Sequence, residues 1–260
     1  MIIGVVGAGG GVGTSTLGLL LSVAAREQAD SHTKKHITSP ANQVDAPAEV
    51  VLVEADRAGG VAGARFDLGV ERGIGSWISG LATNPELPVT GFGKLGIEGL
   101  RILTGPVAAA DAELVLSPQA IDLMLRAMTA DDDRWWILDL GRGGSAAAPL
   151  AAVADAVVIV CPGSAEYVVR LPSLVAWAQP ATTIVLLAGS TLWPVDEIRQ
   201  HCSADEIVEG PRLAISSGEA VDLIEGRRRR RSRAWAAALA CRDTVIAHRT
   251  TTPAVQRSVS

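Results

Sequence analysis

Residues able to hold a phosphate are concentrated near the start of the chain. Gly7-Ala8-Gly9-Gly10-Gly11-Val12-Gly13 places five glycines in seven residues, and Thr14-Ser15-Thr16 follows at once. An apolar run, Ile2 to Val6, precedes this stretch and Leu17 to Leu21 succeeds it. These flanks predict a buried strand and a helix. A glycine turn between them points successive backbone N–H groups at an anion beside a helix N-terminus. Two more apolar runs close on carboxylates: Val50–Val53 leads into Glu54-Ala55-Asp56, and Trp135–Leu138 leads into Asp139. A hydrophobic strand ending in Asp can order Mg2+ through water, and a loop hydroxyl can ligate the same ion. Ser15 and Asp139 are therefore the candidate magnesium residues. Gly9, Gly10, Gly11, Val12, Gly13, Thr14, Ser15 and Thr16 are the candidate nucleotide-binding residues.

Set against the P-loop pattern G-x-x-x-x-G-K-S/T, the segment Ala8–Ser15 keeps the second glycine and the hydroxyl. It has Ala8 at the first position and Thr14 where a lysine should reach the β and γ oxygens. A hydrogen bond to a charged group contributes roughly 1.5–3 kcal/mol net, so one missing lysine weakens nucleotide binding without abolishing it. Losing one donor in a transition state typically lowers kcat about 10²–10³-fold, so hydrolysis suffers more than binding. Arg57 and Arg142 follow the acidic junctions closely and are candidate replacement cations. The dinucleotide pattern G-x-G-x-x-G, started at Gly7, fails at Val12. With no Tyr-x-x-x-Lys or His–Asp pair to move a proton, an NAD(P)-linked oxidoreductase is a remote alternative.

These residues need a scaffold of strands alternating with helices. A helix is expected from Thr14 to about Arg26, then a flexible insertion at about 27–49 that is polar and carries Pro40 and Pro47. His32 and His36 lie in it with no cysteine or carboxylate spaced to complete a metal site. Further strands are expected at Leu100–Leu103, Ala156–Cys161, Thr182–Ala188 and Glu206–Val208. Helices fall between them near Gly75–Leu81, Ser117–Met128, Ala146–Ala154, Gly163–Gln179, Pro194–Cys202, Ala214–Glu225 and Arg233–His248. Pro172 should kink or break its helix. Most strands are apolar runs rather than alternating patterns, which implies a parallel sheet covered on both faces. The fold class is α/β, three-layered, in one domain spanning 1–248 with a polar tail at 249–260.

The 260 residues carry a formal charge of −5, but the last 35 are basic, with nine arginines against Asp243 alone. An acidic body with a basic end, above all the run Arg227–Arg231, suggests contact with an anionic membrane or DNA. Alternatively the run is a solvated linker. The final helix offers Trp235, Ala238, Cys241 and Val245 as a narrow stripe suited to docking on the core. Three scattered cysteines and no basic leader before the first apolar run fit a cytoplasmic protein.

Taken in order, these motifs resemble the MinD/ParA superfamily of deviant-Walker P-loop ATPases. The family loop K-G-G-x-G-K-S/T-T falls on Gly9 to Thr16, its D-x-D on Glu54-Ala55-Asp56, and its D-x-P-x-G on Asp139-Leu140-Gly141-Arg142-Gly143. A later Pro-x-x-Glu is similar to Pro162-Gly163-Ser164-Ala165-Glu166. Both family lysines are absent, being Gly9 and Thr14, and the usual adenine-contacting Asn has no counterpart in Ala188-Gly189-Ser190. Lysine loss with the glycine core kept looks most like the CpaE/TadZ branch and related septum-site-determining proteins. The resemblance implies ATP or ADP with Mg2+ as weakly held cofactors, Asp56 and Glu54 as catalytic acids, and weak or absent hydrolysis. It also implies a homodimer and protein partners in septum placement, chromosome partitioning or pilus and secretion assembly, at the inner face of the membrane, with no small-molecule substrate beyond the nucleotide. A scaffold that binds no nucleotide is the alternative.

Overall fold

The computed structural model describes residues 1–35, 49–69, 71–95, 100–131, 133–179, 181–213, 217–227 and 229–251. The chain runs β1 (Ile2–Gly7), α1 (Thr14–Lys35), β2 (Glu49–Glu54), α2 (Ala62–Arg65), α3 (Ile74–Thr83), β3 (Lys94–Leu95) and β4 (Arg101–Leu103). It continues through α4 (Ala109–Val115), α5 (Pro118–Thr129), β5 (Arg134–Asp139), α6 (Ala148–Ala152), β6 (Ala156–Pro162), α7 (Ala165–Val168) and α8 (Leu171–Ala178). The last elements are β7 (Thr182–Ala188), α9 (Val195–Cys202), β8 (Glu206–Gly210), α10 (Ser217–Ile224) and α11 (Arg233–Thr251). The strands form one sheet in the order β3-β4-β2-β5-β1-β6-β7-β8. Every pairing is parallel except that of the short edge strand β3 with β4.

Alternate residues of each central strand enter two separate cores. Ile2 and Val6 of β1 join Val51 and Val53 of β2 under α3, α5, α6, α8 and α9. Ile3 and Val5 join Val50 and Leu52 under α1, α10 and α11. Burial on both faces is why these strands read as unbroken Val/Ile/Leu runs. Trp77 of α3 stacks on Trp136 of β5 with ring centroids 5.6 Å apart, filling the first core where few other aromatics are available.

Local chemistry explains the helix ends. The Ser117 hydroxyl caps α5 by accepting from the Ala120 N–H at 3.4 Å, and Pro118 takes the first turn, where its missing donor costs nothing. Pro172 sits in the first turn of α8, so the segment from Gly163 to Gln179 is broken into α7 and α8.

Two boundaries differ from expectation. The first helix continues past Arg26 to Lys35, because Glu27, Gln28 and Ala29 favour helix even where the apolar periodicity has ended. The expected insertion at 27–49 is thus helical over 27–35, and Glu49 already belongs to β2. His36, Pro40 and Pro47 lie outside the described residues. At the other end α11 reaches Thr251, three residues into the expected tail, whose remainder also lies outside the described residues. The short β3, α2 and α4 had no periodic signal long enough to be read.

Trp235, Ala238, Cys241 and Val245 are all buried, and α11 packs on α1, β7 and β8. The basic run before it is partly tied down. Arg227 pairs with Asp222 at 2.8 Å and with Glu225, while Arg229 pairs with Glu27 and lies 4.7 Å over the Trp235 ring. Among the described residues no helix is long and apolar enough to cross a membrane. All three cysteines are buried and free, and burial pushes the Cys161 and Cys241 thiols up to about 12.

Candidate functional site

The strand order sets β1 between β5 and β6, with β2 on the far side of β5. In register, Val5 stands beside Asp139 and Asp139 beside Glu54. The glycine loop and both acidic junctions, remote in sequence, therefore meet at the carboxyl edge of the sheet, where open α/β sheets gather ligands. Backbone bonds extend the pairing past the strand ends: Gly7 N–H donates to Gly141 O at 2.8 Å and Ala8 N–H to Val160 O at 2.9 Å.

The loop folds as a turn that needs its glycines. Gly11 and Gly13 have φ of 70° and 99°. A Cβ on Gly13 would collide with the Leu213 side chain and lie 3.0 Å from the Leu213 carbonyl oxygen. Val12, Thr14 and Thr16 are buried beneath, while Gly10 and Gly11 face solvent. Thr14, in the lysine position, turns its hydroxyl back against Gly7 rather than across the loop mouth.

Asp139 lies beneath the loop, 2% exposed, and accepts from the Gly141 N–H at 3.1 Å and from the Ser15 hydroxyl. Burial pushes its pKa up to about 6; the bonds from Ser15 and Gly141 oppose this, and the charges of Glu54 and Asp56 add to it. The candidate metal residues are thus directly joined. Among the described residues no cluster of three or more His, Cys, Asp or Glu could hold a metal unaided. A hydroxyl beside a carboxylate suits Mg2+, which takes few protein oxygens and completes its shell with phosphate and water. The residues present fit that ion.

The two candidate catalytic acids separate. Glu54, buried, accepts at one oxygen from Val61 and Ala62 N–H at 2.8 and 2.7 Å, and at the other from Gly105 N–H at 3.0 Å. Burial raises its pKa, against the pull of these bonds and of Arg65. Its oxygens brace the loops after β2 and β4. Asp56 is half-buried, spends one oxygen on the Ala58 N–H at 2.8 Å, and packs so tightly on Gly141 that a Cβ there would collide with it. Asp56 is the carboxylate of the two that remains accessible. Glu166 is exposed and accepts from the Ser164 hydroxyl at 2.8 Å; its own backbone N–H holds its pKa low.

The replacement cations also separate. Arg57 pairs with Glu113 at 2.6 Å, away from the loop. Arg142 stands on the turn after β5, flanked by Gly141 and Gly143 at φ of 57° and 72°, and its Cδ lies 3.9 Å from where a Cβ on Gly10 would be. Two residues were missed by motif reading. The Tyr167 ring occupies the space that any side chain at position 9 would need. Arg170 donates from Nη1 to Ala8 O at 3.4 Å, its guanidinium 5.8 Å from the Tyr167 ring centroid. Their three-residue spacing after β6 was the only signal in the sequence.

The architecture is that of the P-loop ATPases of MinD/ParA type, a largely parallel sheet between two helical layers. A ParA family ATPase from Chlorobium tepidum superposes with a TM-score of 0.66 at 15% identity, covering 93% of this chain and 96% of that one. MinD from Aquifex aeolicus gives 0.60 at 16% identity over 98% and 99% of the two chains. The ATP complex of a McdA variant from Cyanothece gives 0.64 at 12% identity over 98% of each. No protein-family model and no curated protein matches the sequence.

Proposed function

We propose that this chain is a MinD/ParA-like positioning protein that binds ATP or ADP with Mg2+ and hydrolyses ATP slowly or not at all. The observation that carries the reading is the glycine cradle of Gly9–Thr16 joined to the Ser15–Asp139 hydrogen bond at the carboxyl edge of this sheet. In that arrangement the loop N–H groups would hold phosphate, and Ser15 and Asp139 would hold an ion able to offset phosphate charge. Asp56, beside the same turn, is placed to orient water. Gly9 and Thr14 supply no cation, which is why binding is weak and turnover weaker. The pattern of losses favours the CpaE/TadZ-like and septum-site-determining branch, with a homodimer and protein partners in septum placement, chromosome partitioning or pilus and secretion assembly. An anionic membrane or DNA contact would fall to the part of the Arg227–Arg231 run that Asp222, Glu225 and Glu27 leave unneutralised.

Thermal shift with ATP, ADP and NADH, each with and without Mg2+, tests the reading. Stabilisation follows ligand concentration relative to Kd, so millimolar ATP reveals even weak binding. A rise in Tm with ATP and Mg2+ is expected, and none with NADH. No shift with ATP or ADP would leave the scaffold alternative, which the exposed apolar Val169, Leu192 and Trp193 favour as a protein-contact surface.

A further inference from the structure

We propose that Arg142 and Arg170 together supply, from the same chain as the loop, the positive charge that a lysine at position 9 or 14 would bring to the nucleotide phosphates. The proposal rests on the nucleotide reading above. Position 9 is closed to any side chain by the Tyr167 ring, so a cation cannot stand there while Tyr167 keeps its place. Position 14 is filled by a threonine turned toward Gly7. The rim of the loop is nevertheless flanked by two arginine side chains, Arg142 by its stem and Arg170 by its guanidinium. Arg142 reaches Gly10 from the β5 side, and Arg170 reaches Ala8 from the β6 side. Gly10 and Gly11 between them are exposed, and nothing lies within 4 Å of where a Cβ on Gly11 would be, so the mouth they flank is open.

Neither arginine has a carboxylate within 4 Å among the described residues, although the Arg170 charge acts on Glu166 one turn before it; Arg170 donates to a carbonyl oxygen and Arg142 packs by its stem. Arg57, by contrast, already has Glu113. Arg142 stands on a tight turn between Gly141 and Gly143, whose φ values side chains rarely take. The Tyr167 ring in turn positions Arg170 through a cation–π contact. A guanidinium presents a planar fork matched to phosphate oxygens, so two of them suit a di- or triphosphate better than a nucleoside.

Isothermal titration of the full chain with ATP·Mg2+, and separately with adenosine, tests this. Arg142→Ala and Arg170→Ala are each expected to weaken ATP about tenfold, the double variant more, with adenosine affinity unchanged. Arg142→Lys and Arg170→Lys should recover part of the loss, and Arg57→Ala should behave as wild type. If wild type binds ATP and the double variant binds equally well, the proposal is overturned while the nucleotide reading stands. If wild type binds no ATP, both fall together. Both side chains are exposed, so loss of fold is not expected, and unchanged circular dichroism melting in the variants checks it.

Discussion

Asp139 shows what the site costs the fold. Its folded pKa of about 6 lies above its ordinary 3.8, so the folded chain holds that proton more tightly than the unfolded chain. The contribution of this group to stability is therefore full below pH 3.8 and is lost as pH rises through 6. At 1.36 kcal/mol per unit this amounts to about 3 kcal/mol. Asp139→Asn keeps an acceptor for Ser15 and Gly141 without the buried charge. The variant should melt several degrees higher than wild type at pH 7, and the gap should close near pH 4 in a calorimetric pH series. Mg2+-dependent stabilisation by ATP should disappear with it. At position 9, Gly9→Lys restores the family residue but must displace Tyr167. Alone it should lower Tm and leave ATP affinity no better; combined with Tyr167→Ala it should bind ATP more tightly than either single variant.

Glu54 and the α11 docking face belong to the scale of elements. Three backbone N–H groups lose their acceptor in Glu54→Ala, and each buried unsatisfied donor costs about 1–3 kcal/mol. We expect at least 3 kcal/mol of destabilisation in urea, with Glu54→Gln far milder because it keeps one acceptor oxygen. Were Glu54 a reacting acid rather than a brace, Glu54→Ala would instead abolish turnover without moving the urea midpoint. Arg229 joins Glu27 of α1 to Trp235 of α11, an interaction between elements far apart in sequence. Arg229→Ala should cost about 1–2 kcal/mol by loss of the pair and the ring contact, and Arg231→Ala, on an exposed residue, close to nothing.

For the whole molecule the fold is that of MinD/ParA-type P-loop NTPases, and the function we propose implies that the cations of the family loop are moved or missing. Steady-state turnover well below one per second is expected under saturating ATP·Mg2+; a rate near one per second would overturn the reading of weak hydrolysis. Replacing all five residues of Arg227–Arg231 by serine and measuring co-sedimentation with anionic vesicles separates a surface-binding role from a structural one. Unchanged co-sedimentation with a lowered Tm would assign the run to the joint between α1 and α11.

The sheet, its two helical layers and the glycine loop were legible because they rest on local patterns: apolar runs, glycine spacing and carboxylates at strand ends. Asp139 and Ser15 could be paired as candidates from type and spacing, and the structure brings the two side chains into hydrogen-bond contact. The roles of Glu54, Arg57 and Arg170 could not. Glu54 meets its three donors across the turns at Val61, Ala62 and Gly105; Arg57 meets Glu113 on a helix without periodic signal; Arg170 reaches Ala8 only because β6 lies beside β1. Which acid braces and which stays accessible, and which arginine is paired and which faces the loop, depends on the lateral order of the strands. That order follows from packing two faces at once, which no stretch of sequence encodes by itself.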